Sequence, residues 1–171
     1  MFDEGHSPMT TFVPGPETAR QFRDALGRFA TGVTIVTCET EEGPLAIAAN
    51  SFSSLSLDPP LVLWSPAKMS RRFPPFHDAK QYAINILGAD QIDLCQTFAR
   101  DGTAFADVVW SKGANGAPII EGCLATFECT QHAVHDGGDH VIIVGEVTQA
   151  RMGEGEPLVF SKGAYGRFTD A

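Results

Sequence analysis

Three clusters of side chains in this sequence are suited to holding an anion or a heteroaromatic ring. The first is Ala48-Ala49-Asn50-Ser51-Phe52-Ser53-Ser54-Leu55-Ser56-Leu57-Asp58-Pro59-Pro60, where short amide and hydroxyl residues follow one apolar run and a double proline precedes the next. A loop built this way can aim many N–H and O–H groups at one ligand. The second is Lys68, Ser70, Arg71 and Arg72, the densest basic cluster in a chain of net charge -9. A basic loop in so acidic a protein points to an anion such as a phosphate. The third is Gly138-Asp139-His140, an imidazole directly after a turn, placed to donate to a ligand carbonyl or carboxamide. Each also has a plainer reading, as a serine-rich turn, a solvated loop and a strand-end histidine.

Other chemistries find less support. Cys129, His132, His135, Asp139 and His140 lie close together, but their spacing fits no common zinc pattern. On a strand, Cys129 and His132 would also point to opposite faces. We therefore expect no metal. Phosphate-loop and dinucleotide fingerprints are missing, as is a Gly-x-Ser-x-Gly elbow.

The elements that must position these clusters follow from periodicity. Pro14-Gly15-Pro16-Glu17 reads as a helix start, and Ala19, Phe22, Leu26, Phe29 and Ala30 form one apolar stripe through about residue 31, ended by Gly32. Strands are predicted over residues 33–38, 45–49, 61–65, 81–87, 125–131 and 140–147. Asp90 is a candidate cap for a helix burying Ile92, Cys95, Phe98 and Ala99, and residues 101–115 read as irregular. Asp136-Gly137-Gly138-Asp139 is a hairpin turn signal. Trp64 and the phenylalanines at 22, 29, 98 and 127 fit buried faces. Six strands with short connections and flanking helices predict a mainly β fold, a small antiparallel barrel. The last of these strands is apolar on both faces, which suggests a homodimer.

With 171 residues, 43% of them apolar and 19% charged, the chain reads as one globular domain over 15–171 behind a loose arm over 1–14. Twelve basic against 21 acidic residues disfavour nucleic acid. No run approaches the ~20 apolar residues of a membrane helix, and the acidic start does not resemble a signal peptide. Cys38, Cys95, Cys123 and Cys129 lack CxxC spacing and read as reduced thiols, so a cytoplasmic location and no membrane contact are expected.

Taken in order, residues 29–37 (Phe-Ala-Thr-Gly-Val-Thr-Ile-Val-Thr), 49–62, Lys68-Met69-Ser70, Ala83-Ile84-Asn85-Ile86-Leu87, Gly138-Asp139-His140 and Gly163-Ala164-Tyr165-Gly166 resemble the flavin reductase family. The resemblance implies a six-stranded antiparallel Greek-key split β-barrel, the FMN-binding split barrel, acting as a homodimer. It implies an NAD(P)H:flavin oxidoreductase that transfers hydride from NADH or NADPH to FMN or FAD and supplies reduced flavin to a partner monooxygenase. Two alternatives stay open: a bound-flavin reductase acting on another acceptor (a ferric complex or corrinoid), and a non-catalytic flavin-binding electron carrier.

By the same resemblance, Asn50, Ser51, Phe52 and Ser53 hold the flavin ring and ribityl chain, and Lys68 and Ser70, with Arg71, contact its phosphate. His140 lies where nicotinamide stacks on flavin, as the one catalytic residue. Thr34, Ala49, Ser65, Asp139 and Tyr165 complete the expected cofactor contacts. The sequence departs from the family pattern at Ala48, where a threonine is usual, and at Arg72, where a serine or threonine is frequent. Arg72 could then serve a more charged ligand, such as FAD or a phosphorylated nicotinamide.

Overall fold

A computed structural model describes residues 9–170, so the expected arm over 1–14 falls partly outside the described residues. In chain order the strands are β1 (Thr31–Gly32), β2 (Thr34–Thr40), β3 (Gly43–Ala49), β4 (Ser53–Leu57), β5 (Pro60–Trp64), β6 (Gln81–Ile86), β7 (Trp110–Lys112), β8 (Pro118–Ile120), β9 (Ala125–Gly137), β10 (His140–Met152), β11 (Leu158–Ser161) and β12 (Ala164–Arg167). The helices are α1 (Ala19–Leu26), α2 (Phe73–Asp78) and α3 (Ile92–Arg100). None is long and apolar enough to cross a membrane.

All six predicted strands are present, but the count of six is corrected. The main sheet has seven strands in the order β3-β2-β6-β9-β10-β5-β4, flanked by a three-stranded sheet, β1-β11-β12, and the pair β7-β8. The seventh strand is β4, drawn from the serine-rich stretch that the sequence presents as a loop. Its residues pair with β5 across Asp58-Pro59, forming an exposed edge. β9 and β10 run to 13 residues each, with register slips at Val144/Gly145 and Val147/Gln149. Slips of this kind let a long ribbon bend without losing its ladder.

The connection from β3 to β4 dictates the shape of the sheet. These two strands are its opposite edges, yet only residues 50–52 separate them. Laid flat, seven strands would hold their edges about 29 Å apart, whereas that segment spans at most ~14 Å from Ala49 to Ser53. The sheet must therefore curl until its edges approach, and β3 and β4 still form no ladder with each other. It is an open, strongly curled antiparallel sheet.

Two large clusters make up most of its core, with Ala83, Ala117 and Ile119 as a small third. One gathers Val36, Trp64, Phe76, Tyr82, Ile84 and Ile143; the other gathers Ile35, Leu87, Cys95, Phe98, Phe105 and Leu158 under α3. Asn85, in mid-β6, ties the layers together. Its amide donates to the Ile35 carbonyl at 3.0 Å and the Thr37 hydroxyl at 3.3 Å, and accepts from the Ile120 N–H and the Thr126 hydroxyl at 3.2 Å each.

Three local expectations are corrected. The helix after residue 90 is capped by Gln91 without a side-chain cap bond, and Gln91 Oε1 instead accepts from the Gly88 N–H at 2.9 Å. Residues 101–115 contain the short strand β7. The apolar stripe of α1 exists but is not covered: the helix buries no residue, and Phe22 and Phe29 are 43% and 80% exposed. Trp64 and Phe98 are fully buried as expected, and Phe127 is half-buried, stacked on Phe52 at 5.8 Å.

Candidate functional site

Residues 50–52 bridge the two edges, and a serine clamps them in place. Ser51 Oγ accepts from the Ser65 N–H at 2.9 Å and lies 3.2 Å from the Ser65 carbonyl, to which it donates. One hydroxyl thus fixes the crossing segment to the end of β5. The Phe52 ring turns inward onto Phe127. The backbone N–H groups of Asn50, Ser51 and Phe52 donate to no acceptor among the described residues. Three consecutive unpaired N–H groups on a clamped segment are available to a ligand's anionic or carbonyl oxygens.

Beyond Ser65 the chain is stitched to the β9–β10 hairpin. Ala67 forms an isolated bridge with His140, the Lys68 N–H donates to the Asp139 carbonyl at 2.9 Å, and the Val141 N–H donates to the Pro66 carbonyl at 3.2 Å. The Lys68 ammonium pairs with Asp136, and this contact holds the Asp136 carboxyl below its usual range. His140 Nδ1 shares a hydrogen bond of 2.7 Å with Asp139, whose carboxyl is likewise lowered, chiefly by that bond. The imidazole is thereby oriented, with Nε2 as the nitrogen lacking a protein partner among the described residues. Ser51, Ser65, Lys68, Asp139 and His140 therefore form one continuous band.

A second group meets this band at Asn50. The buried Thr34 hydroxyl donates to the Ala49 carbonyl at 2.8 Å. Ala48, Ala49, Asn50, Phe160 and Tyr165 border a cavity of about 190 Å³. Tyr165 Oη lies 3.5 Å from Cys95 Sγ, and that contact pushes the phenol up to about 12. Ala48 lines this cavity with a methyl group.

Three further expected residues make local contacts or line a different cavity. Ser53 is exposed and its hydroxyl donates to the Ser54 carbonyl, away from the clamped segment. Ser70 Oγ accepts from the Arg72 N–H at 3.2 Å, closing a local turn. Arg71 lines a separate cavity of about 470 Å³, together with Glu41 and Glu42.

Arg72, whose sequence position suggested a more charged ligand, is engaged by backbone carbonyls. Its Nη1 donates to the Phe98 carbonyl at 2.6 Å and the Ala46 carbonyl at 3.4 Å, and Nη2 donates to the Ala99 carbonyl at 3.3 Å. The guanidinium caps the last turn of α3, where unpaired carbonyls and the helix dipole favour a cation. Arg72→Ala is expected to lower stability by about 2 kcal/mol. Arg72→Lys should recover only part of this, because an ammonium cannot span the same carbonyls. Urea unfolding midpoints of the two variants check this, and equal midpoints for wild type and Arg72→Ala would refute it.

Sequence reasoning missed Asp136 as the partner of Lys68; its place in the Asp-Gly-Gly-Asp turn was the available signal. No group of three or more His, Cys, Asp or Glu side chains able to hold a metal occurs among the described residues.

Comparison with known proteins now defines the class. The flavin reductase like domain matches residues 26–169, and the chain belongs to that family. Among individual relatives, the chain is 57% identical over 158 residues to the FMN reductase (NADH) of Agrobacterium fabrum, covering 92% of this chain and 91% of the relative. It is 40% identical over 148 residues to the reductase subunit of a flavin-dependent monooxygenase from Rhodococcus jostii, covering 85% and 76%. Among solved structures, the NADH:FAD oxidoreductase of Streptomyces globisporus superposes with a TM-score of 0.88 at 37% identity, covering 97% of this chain and 96% of that one.

Proposed function

We propose that the protein is an NAD(P)H:flavin oxidoreductase that reduces FMN or FAD and passes the reduced flavin to a partner monooxygenase. The observation that carries this reading is the run of unpaired N–H groups at Asn50, Ser51 and Phe52, clamped by Ser51 and bordered by the oriented His140. The donor set fits a flavin, whose pyrimidine edge presents carbonyl oxygens and whose phosphate is anionic. A bound flavin would supply the ring that accepts hydride.

The chain's own residues bind, orient and shield. Residues 50–52 would take the ring and ribityl oxygens, with Thr34, Ala49 and Tyr165 bordering the ring. Lys68 and Ser70 sit in the adjacent loop. The ammonium carries three donors, so Lys68 can hold Asp136 and a flavin phosphate together. Asp139 fixes the imidazole, and Nε2 of His140 would be available to a nicotinamide carboxamide. Asn50 is exposed, which favours a flavin that exchanges with solution. Saturation of the rate by added FMN or FAD tests that exchange, and indifference to added flavin would favour a fixed prosthetic group.

His140→Ala is expected to raise KM for the nicotinamide roughly tenfold while shifting flavin Kd by less than about twofold, as loss of one charge-assisted contact would. Steady-state oxidation of NADH and NADPH, beside fluorescence titration of flavin, measures both. Equal loss of the two affinities would remove His140 from the nicotinamide site.

Two further features support the finer picture. The curled sheet with unjoined edges supports the split-barrel reading. The uncovered stripe of α1 and the edge-strand residues Leu55 and Leu57, 50% and 97% exposed, are apolar surfaces that a second copy could cover. A dimer is therefore expected in solution, and a monomeric mass by light scattering at micromolar concentration would overturn it. All four cysteines are free thiols, in keeping with the reducing cytoplasm.

A further inference from the structure

The loop after β5 is rich in cations, yet little of its charge is free for a ligand. Arg72 is committed to the carbonyls of Ala46, Phe98 and Ala99, and Arg71 lines the cavity beside Glu41 and Glu42. That leaves Lys68 as the loop cation joined to the His140 band, and Asp136 already holds its ammonium. A second carboxylate, that of Asp139, feels the same ammonium. Around Lys68 one positive charge therefore stands against two negative ones, in a chain of net charge -9.

The Lys68–Asp136 pair is not needed to fasten this loop to the β9–β10 hairpin. Three backbone links already do so: the Lys68 N–H to the Asp139 carbonyl, the Val141 N–H to the Pro66 carbonyl, and the bridge between Ala67 and His140. The Lys68 and Asp136 side chains are 37% and 79% exposed, and ion pairs that open to water add little to stability. The carboxylate is nevertheless held in position. It lies in the Asp136-Gly137-Gly138-Asp139 turn, and its second oxygen accepts from the Gly138 N–H at 3.5 Å. A fixed negative charge thus stands where an incoming anion would meet Lys68.

Resting on the flavin-reductase reading, with Lys68 at the flavin phosphate, we propose that Asp136 is a built-in counter-charge that weakens the hold of Lys68 on that phosphate and keeps the flavin an exchanging substrate. The ammonium can touch both groups at once. The phosphate then brings a charge of about -1.5 to -2 close to a carboxylate, and repulsion offsets part of the attraction. Riboflavin has no group to place at Lys68, so the effect falls on phosphorylated flavins. Affinity differences within one site appear mostly in dissociation, so Asp136 acts chiefly by speeding release. Release is what a reductase serving a separate monooxygenase requires. Asp136 touches Lys68 rather than the reacting atoms, and is a positioning residue.

The test is fluorescence titration of FMN and of riboflavin into the full-length protein and its Asp136→Asn variant, with stopped-flow measurement of FMN release. Asparagine keeps the shape and an acceptor for Lys68 but removes the charge. The variant is expected to bind FMN about threefold to fivefold more tightly, through slower release, and to leave riboflavin Kd within about 1.5-fold. The FMN effect should shrink by about half or more when salt is raised to about 0.5 M. Asp136→Glu keeps the charge and should keep the wild-type preference between the two flavins. A damaged hairpin would weaken both flavins alike, so the ratio of their Kd values separates a charge effect from a folding effect.

A preference for FMN over riboflavin that is unchanged or lower in Asp136→Asn would overturn the proposal. So would an unchanged preference in Lys68→Gln, because the phosphate would then bind elsewhere. Tighter FMN binding by Asp136→Asn, in a protein that does not oxidise NADH or NADPH with flavin, would instead remove the proposed function and leave the role of Asp136 standing.

Discussion

Replacing Asn85 with leucine is expected to lower stability by about 4 kcal/mol, enough to unfold much of the population under mild denaturant. Asn85 is fully buried, and its amide satisfies groups from four neighbours: Ile35 and Thr37 on β2, Ile120 on β8 and Thr126 on β9. Leucine would fill a similar volume but remove that partner from all four in a dry interior, leaving the Ile120 N–H and the Thr126 hydroxyl as orphans, while the Thr37 hydroxyl still donates to the Pro118 carbonyl. Each such orphan costs about 1–3 kcal/mol before relaxation, and because the four share one site the losses do not simply add. Urea unfolding with an unchanged slope is the measurement. A loss below about 1 kcal/mol would mean that the network can rearrange around the substitution.

Gly145→Ala is the second large expected effect, about 3 kcal/mol of destabilisation. A Cβ there would stand 2.1 Å from Tyr82 Oη, 2.9 Å from Tyr82 Cζ and 3.0 Å from Cys129 Cβ. These contacts lie in the main core cluster, where Tyr82 is 1% exposed and cannot swing aside into solvent. Overpacking of this kind costs about 1–3 kcal/mol, and more when backbone must shift.

The same geometry predicts its own suppressor. Tyr82 Oη is buried without a hydrogen-bond partner among the described residues, so Tyr82→Phe alone should change stability by less than about 1 kcal/mol while removing the closest clash. The double variant should be more stable than Gly145→Ala by at least about 1 kcal/mol. A double variant no better than the single one would place the strain at Cys129 instead.

Much of this molecule could be read from its sequence, for identifiable reasons. Strands such as β2 and β6 carry β-branched or apolar runs that leave little choice, and the Asp-Gly-Gly-Asp turn located the β9–β10 hairpin. β4 escaped because Ser53, Ser54 and Ser56 have weak strand propensity; its pairing comes from the β5 backbone rather than from its side chains. The stripe of α1 was legible as amphipathic, but periodicity tells which face is apolar and not what lies against it. In the candidate site, the crossing segment and Gly138-Asp139-His140 were found because their residue types are unusual in combination. The role of Arg72 was not, because it depends on a distant helix end.

The passage of residues 50–52 between opposite edges of the sheet has a mechanical consequence. The segment acts as a hinge pin for the open seam of the main sheet, with the Ser51–Ser65 clasp on one side and the β3 terminus on the other. A ligand that engages its N–H groups braces that seam, and local opening at the edges of β3 and β4 then requires ligand release. Occupancy should therefore slow hydrogen exchange along both edge strands, although β3 and β4 share no ladder. Engaging those N–H groups and keeping the sheet curled would then be one and the same mechanical act.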